Sequence, residues 1–174
     1  CRNAVLPAYI SGGSSAGSSL AVALGVASFA LGTDTAGSGR VPAGLNNIVG
    51  LKPSAGLVST TGVLPACRSL DCVSVFALTV DDAFAVLQAM AIPDMSDPYS
   101  RVMPLGKPGT VPPSMVIAVP DSNGRLFFGD ADSENSFETA IALLRNMGAK
   151  IEEIDIFPLL ETARLLYEGP WVAE

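Results

Sequence analysis

The chain has 174 residues, 49% of them hydrophobic and only 16% charged, with a net charge of −7 and no histidine. That length suffices for a domain with a buried core. An acidic balance without a Lys/Arg cluster argues against nucleic acid as a direct ligand, and the missing histidine excludes Ser-His-Asp triads, Cys-His pairs and histidine metal ligands within the chain.

The charge is unevenly spread: residues 1–80 carry four basic and two acidic groups, residues 81–174 six and fifteen. So few charges cannot cover much water-facing surface, and the first half reads as the inside of something larger. No run reaches the roughly 18 apolar residues needed to span a bilayer. Leu20–Leu31 is short and is broken by Gly25 and Ser28. No signal peptide is expected, and Cys1, Cys67 and Cys72 form no even framework, so free thiols in a reducing cytoplasm are expected. The chain starts without Met and stops in mid-pattern, and reads as a piece cut from a longer protein at both ends.

Residues 1–10 read as an irregular approach, since Pro7 disfavours helix at Leu6. A Gly/Ser loop follows at Ser11–Ser19. From Ala16 the pattern becomes a slim, buried helix running to about Ser28. Phe29–Gly32 reads as the end of a central strand, and Thr33–Gly39 as a second small-residue loop. Val41–Ile48 is expected to be a short helix with Pro42 in its first turn. Leu51–Pro53, Gly56–Ser59 and Gly62–Leu64 read as strand pieces divided by Gly and Pro. Val73–Val80 is β-rich, and Asp81 is the expected cap of a helix over Asp82–Ala91.

Residues 93–113 hold six of the thirteen prolines and read as a connection between a core at 1–92 and a βαβα segment at 114–174. In that segment Met115–Val119 is a strand. Asp132 or Ser133 caps a helix to about Met147, with Gly148 at C′. Lys150–Ile156 alternates as a half-exposed strand, and a last helix starts near Pro158. Strand and helix in alternation predict an α/β fold.

Three motifs resemble known sites and fail on their own terms. Gly13-Ser14-Ser15-Ala16-Gly17 has the spacing of a nucleophile elbow, but Pro7 weakens the required preceding strand and the required histidine is absent. Gly37-Ser38-Gly39 opens like a dinucleotide loop, but Pro42 stands where the third glycine belongs. Gly129–Asp132 has Asn135 and Ile141 where a calcium loop needs Gly and Glu, and reads as helix capping.

What remains is a pair of serine-bearing loops. Gly12–Gly17 (GGSSAG), Gly32–Ala43 (GTDTAGSGRVPA), Gly50–Ser54 (GLKPS) and Ser69–Asp71 (SLD) together resemble the amidase signature family, with Ser14 and Ser38 separated by 24 positions as that family's two catalytic serines are. The resemblance implies an amidase-signature fold, a mixed β-sheet core flanked by helices, present here in part. It implies Ser38 as acyl nucleophile and Ser14 as proton relay on a cis peptide. The N–H groups of Thr35, Ala36, Gly37 and Ser38 would form the oxyanion turn, and no metal or organic cofactor is implied. Asp34 and Arg40 flank the turn and read as an ion pair or backbone-bonded pair that holds it. The base would be a lysine, a competent base when its pKa is lowered. The family's lysine falls before residue 1. Lys52 occupies the structural G-L-K-P position, Lys107 the connection and Lys150 a strand start, so the isolated chain is expected to be inactive.

Longer stretches, among them Val63–Ala83 and Leu166–Glu174, resemble the allophanate-hydrolysing branch of the family. That implies a small anionic amide substrate, allophanate, with Tyr167 and Gly13 in its binding site and an Arg just after Glu174 that would grip its carboxylate. It also implies a urea carboxylase as partner and a homodimer. Cys67 and Cys72 read as small buried residues, since no neighbouring cation is evident to lower their pKa. Two alternatives stay open: another family member, such as the glutamine-hydrolysing component of an amidotransferase, and a non-catalytic paralogue.

Overall fold

The computed structural model describes residues 1–106 and 114–173. These fall into two compact units, residues 1–106 and 114–173. The end of the Pro-rich connection, residues 107–113 with Lys107, lies outside the described residues.

The first unit is built on a three-stranded antiparallel sheet. Its strands are β1 (Phe29–Thr33), β2 (Val49–Leu51) and β3 (Val73–Ala77), in the order β1-β3-β2. β3 pairs on both edges, Phe29 opposite Ala77 on one side and Val49 opposite Ala77 on the other. Helices α1 (Ala16–Ala23) and α2 (Arg40–Leu45) cover one face, and α3 (Val80–Met90) the other. A strand buried on both faces is apolar almost throughout, which is why VSVFA reads as one run. Its alternate side chains part as the pleat requires. Phe76 packs with Val22 and Ala43, whereas Val75 and Ala77 pack with Ala83. Phe76 is fully buried at the centre of this strand. Phe76→Ala is therefore expected to destabilise the unit by about 3–5 kcal/mol, read as a lowered urea midpoint.

A second cluster joins Leu57, Val58 and Leu87, and Met103 and Leu105 pack against it. Residues 93–106 are thus held to the unit, and the Arg101 N–H donates to the Gly56 carbonyl at 2.8 Å.

Several element boundaries differ from the sequence expectation. α1 stops at Ala23 rather than Ser28, because Gly25 takes φ +70° and the amides of Val26 and Ala27 both turn back to the Ala21 carbonyl. Only Ser19 and Val22 of α1 are buried. The pieces at Gly56–Ser59 and Gly62–Leu64 are turns, not strands, with both glycines at positive φ. α3 is capped by Thr79, whose Oγ1 accepts from the Asp82 N–H. Asp81 and Asp82 sit inside its first turn, where carboxylates favour the helix dipole.

The second unit is a βαβ element: β4 (Val116–Pro120), α4 (Ala131–Asn146) and β5 (Lys150–Ile154), with β4 and β5 parallel. The cap of α4 is Asp130, not Asp132 or Ser133, and accepts from both of their amides at 3.1 Å. Arg125 organises this unit. It donates to the Pro120 carbonyl, pairs with Glu138 and Glu153, and lies over the Phe137 ring at 5.6 Å. α5 (Phe157–Glu168) and a single 3-10 turn at Pro170–Ala173 close the described chain. Helices and sheets are mixed, as expected. The parallel βαβ geometry belongs to the second unit, and the first sheet is wholly antiparallel.

Candidate active site

The first serine loop leads into α1. Gly12 has φ +70°, and a Cβ there would stand 3.0 Å from Leu45 Cδ1 and 3.1 Å from Pro42 Cα, so a side chain there would be both strained and crowded. The Gly13–Ser14 peptide is cis. Ser15 fastens the loop. Its Oγ donates to the Thr33 carbonyl at 3.1 Å and accepts from the Thr33 N–H at 3.2 Å. Its N–H donates to the Ser38 carbonyl at 3.1 Å. That last bond sets the two serine loops side by side, with Ser14 one residue from the contact. Ser14 is exposed and Ser38 half-buried, and neither hydroxyl has a hydrogen-bond partner among the described residues.

The second loop is wound around Asp34, which is completely buried. Its carboxylate accepts from the amides of Gly37 at 2.7 Å, Gly39 at 3.2 Å and Arg40 at 3.0 Å. The Arg40 guanidinium adds Nε at 2.9 Å and Nη2 at 3.0 Å. This is the pair expected from the sequence, an ion pair and backbone-bonded at once. Burial alone would raise the Asp34 carboxyl, but the hydrogen bonds and charge of Arg40 and the Gly37 amide outweigh it and hold the group well below the usual carboxylate range. Arg40 in turn is raised, chiefly by its hydrogen bond to Asp34.

Winding on Asp34 decides which amides of the turn are free. The Gly37 N–H is already committed to Asp34 Oδ1, which argues against the expectation that it serves as an oxyanion donor. The N–H groups of Thr35, Ala36 and Ser38 have no acceptor among the described residues. Gly37 supplies instead a backbone with φ +127° that other residues rarely adopt.

Asp71, at the end of the Ser69–Asp71 segment, reaches the second serine loop from outside it. It is buried, accepts the Thr35 hydroxyl proton, and takes the amides of Ala66 at 2.8 Å and Cys67 at 3.1 Å. Its signal in the sequence is a lone acid in a stretch almost devoid of charge. One carboxylate therefore ties the 66–71 turn to the start of the Thr35–Ser38 turn. Thr35→Val removes this hydrogen bond to the buried Asp71 side chain while keeping shape, and is expected to cost about 1–3 kcal/mol, measured by urea denaturation.

Lys52 follows β2, is half-buried, and acts electrostatically on Cys72. Cys67 and Cys72 are both buried, and burial raises the Cys72 thiol, consistent with packing residues rather than nucleophiles. Gly13 is exposed, with open space where a Cβ would stand. Tyr167 is exposed on α5 in the second unit. Lys150 is exposed and paired with Glu152. A cleft of about 290 Å³, lined by Thr60, Arg68, Asp97 and Tyr99 among others, includes neither Ser14 nor Ser38. Among the described residues no group of three His, Cys, Asp or Glu side chains is placed to hold a metal ion. Among the described residues no helix is long and apolar enough to cross a membrane.

Two glycine-rich loops, joined backbone to backbone, each carry a serine in a chain without histidine. The chain belongs to the amidase family, whose model matches residues 1–174. Among its relatives, the urea amidolyase of Lachancea kluyveri is 52% identical over 167 residues, covering 95% of this chain and 9% of that protein. A structure of Kluyveromyces lactis allophanate hydrolase superposes with a TM-score of 0.92 at 50% identity, over 99% of this chain and 28% of that one. The peptide amidase of Stenotrophomonas maltophilia superposes with a TM-score of 0.77 at 33% identity, over 97% of this chain and 37% of that one. The chain thus spans about a tenth of the urea amidolyase and under a third of the allophanate hydrolase, and its fold is that part of the amidase fold.

Proposed function

We propose that this chain is the serine-bearing part of an amide hydrolase acting on allophanate. The observation that carries the mechanism is the Ser15 N–H bond to the Ser38 carbonyl, which holds two serines in adjoining loops of a chain without histidine. The substrate reading is supported by identity of about half to the urea amidolyase and the allophanate hydrolase, against 33% to the peptide amidase.

In this reading Ser38 Oγ attacks the terminal amide carbonyl of allophanate. Its proton passes to Ser14 Oγ, whose own proton goes to a lysine base beyond the described residues. The amides of Thr35, Ala36 and Ser38 receive the developing oxyanion, each such donor being worth about 10²–10³ in rate. The C–N bond breaks and the departing nitrogen takes a proton back through Ser14, leaving as ammonia. Water then displaces the acyl group from Ser38, and the carboxylated carbamate breaks down to ammonia and carbon dioxide. Gly13, exposed beside Ser14, contacts the substrate. A biotin-dependent carboxylation of urea is the reaction that would supply this substrate. Lacking the base, the isolated 174-residue chain is expected to be inactive.

A second reading, glutamine hydrolysis, rests on the family resemblance to the glutamine-hydrolysing component of an amidotransferase. The two separate cleanly. Ammonia release by the complete protein is expected with allophanate and not with glutamine, and the reverse preference would overturn the substrate assignment.

A further inference from the structure

The hydrogen bonds behind the two serine loops converge on a single acceptor, the main-chain carbonyl of Pro42. Pro42 lies in α2, immediately after the turn that bears Ser38. Its carbonyl accepts from Asn46 Nδ2 at 2.8 Å, from the Asn46 N–H at 3.2 Å and from Ser19 Oγ at 2.8 Å. Ser19 is on α1, which leaves the first serine loop. It is completely buried. Asn46 reaches the other flank of the same loop. Its Nδ2 also donates to the Ser11 carbonyl at 2.8 Å, and its Oδ1 accepts the Ala4 N–H at 2.8 Å. Asn46 is buried, and every polar atom of its amide is engaged. Gly12 closes against Pro42 and Leu45 beneath. The residues before and after Ser14 are therefore both bonded, through Ser11 and Ser19, to the helix that follows Ser38.

We propose that Asn46, acting with Ser19 through the Pro42 carbonyl, is a positioning residue that sets the separation of Ser14 and Ser38. This rests on the reading of those serines as relay and nucleophile. A proton relay between two hydroxyls works only at hydrogen-bond distance, and the Ser15 bond to Ser38 fixes only one side of the first loop. Asn46 and Ser19 fix the flanks. Neither touches the reacting atoms. Asn46 suits the task because a carboxamide offers two N–H donors on one atom and can bridge two carbonyls while its oxygen takes an amide. Asp would keep the shape and the acceptor but turn an oxygen toward both carbonyls.

The test uses the complete protein with allophanate as substrate and a fluorophosphonate as a reporter of Ser38 reactivity. Asn46→Asp is expected to lower kcat about a hundredfold with KM within about threefold, the size of effect that a displacement near 1 Å produces. Ser19→Ala is expected to lower kcat about tenfold. Fluorophosphonate labelling of Ser38 should slow in parallel with kcat, and the double variant should show less than the product of the two losses, since both act through one carbonyl. Folded variants whose kcat and labelling rate stay within about threefold of the parent, whatever their melting temperature, would overturn the proposal. Should Asn46→Asp not fold, Ser19→Ala decides alone, because it removes one oxygen and leaves the packing. Ser38→Ala in the same protein separates the two layers: turnover lost there but retained in the Asn46 and Ser19 variants rejects the positioning role only, whereas turnover retained in Ser38→Ala rejects the reading beneath it.

Discussion

Replacing Ser38 by alanine in the complete protein is expected to lower allophanate turnover by about 10⁴–10⁶, the range found when a hydrolase loses its nucleophile. The magnitude follows from what would be left. The amides at positions 35, 36 and 38 would still polarise the carbonyl, but no covalent route would remain. Ser14→Ala is expected to cost less, about 10²–10⁴, since it removes a proton relay and leaves the nucleophile in place. Neither change should unfold the chain. Both hydroxyls lack protein partners among the described residues, so their removal leaves no buried donor or acceptor unsatisfied. Steady-state kinetics beside a thermal melt checks both statements, and a large loss with an unchanged melt is the expected pattern.

A loss of stability as large as that of Phe76→Ala is expected from Asp34→Ala. The buried carboxylate accepts three backbone amides and two guanidinium N–H groups. Arg40 is half exposed, with a side-chain exposure of 54%, so water can take over its hydrogen bonds. The amides of Gly37 and Gly39 are buried and cannot be served so easily. The expected loss is about 3–5 kcal/mol, a large share of the roughly 5–15 kcal/mol that holds a typical domain together. Activity should fall with it, because the same bonds shape the turn that carries Ser38. The effect has a pH signature. The folded state holds the Asp34 carboxyl below its ordinary range, so its contribution is fully present above the unfolded carboxylate pKa. It is lost as pH falls through that value toward the folded one. Urea midpoints of the parent should decline on acidification across that window, and those of Asp34→Ala should decline less.

How much of this was legible beforehand depends on the kind of interaction. β3 was legible because a strand covered on both faces has no polar alternation to hide it, and Val73–Ala77 stands out in a chain of short Gly- and Pro-broken pieces. The antiparallel pairing of β1 and β2 with it was not, since β2 is three residues long and pairing leaves no mark on so short a segment. The end of α1 turned on the single torsion at Gly25, and the cap of α3 on Thr79 taking the place expected of Asp81, the stronger capping type. The nearness of the two serine loops was implied by the resemblance to the amidase signature family, carried by GGSSAG and GTDTAGSGRVPA. The Asp34–Arg40 pair was legible as the only opposite charges flanking the turn. Which amide of that turn is spent on Asp34 depends on the direction of one N–H, and no residue type announces it. Asn46 was invisible for the opposite reason: its partners, Ala4, Ser11 and Pro42, all offer main-chain atoms, which any sequence would supply.

The most direct test of the account is to quench the complete protein in acid during allophanate turnover and map the covalent acyl adduct by peptide mass spectrometry. The account predicts an adduct on Ser38, formed within one turnover and absent from Ser38→Ala. An adduct on Ser14, Cys67 or Cys72, or undiminished turnover in Ser38→Ala, would contradict it.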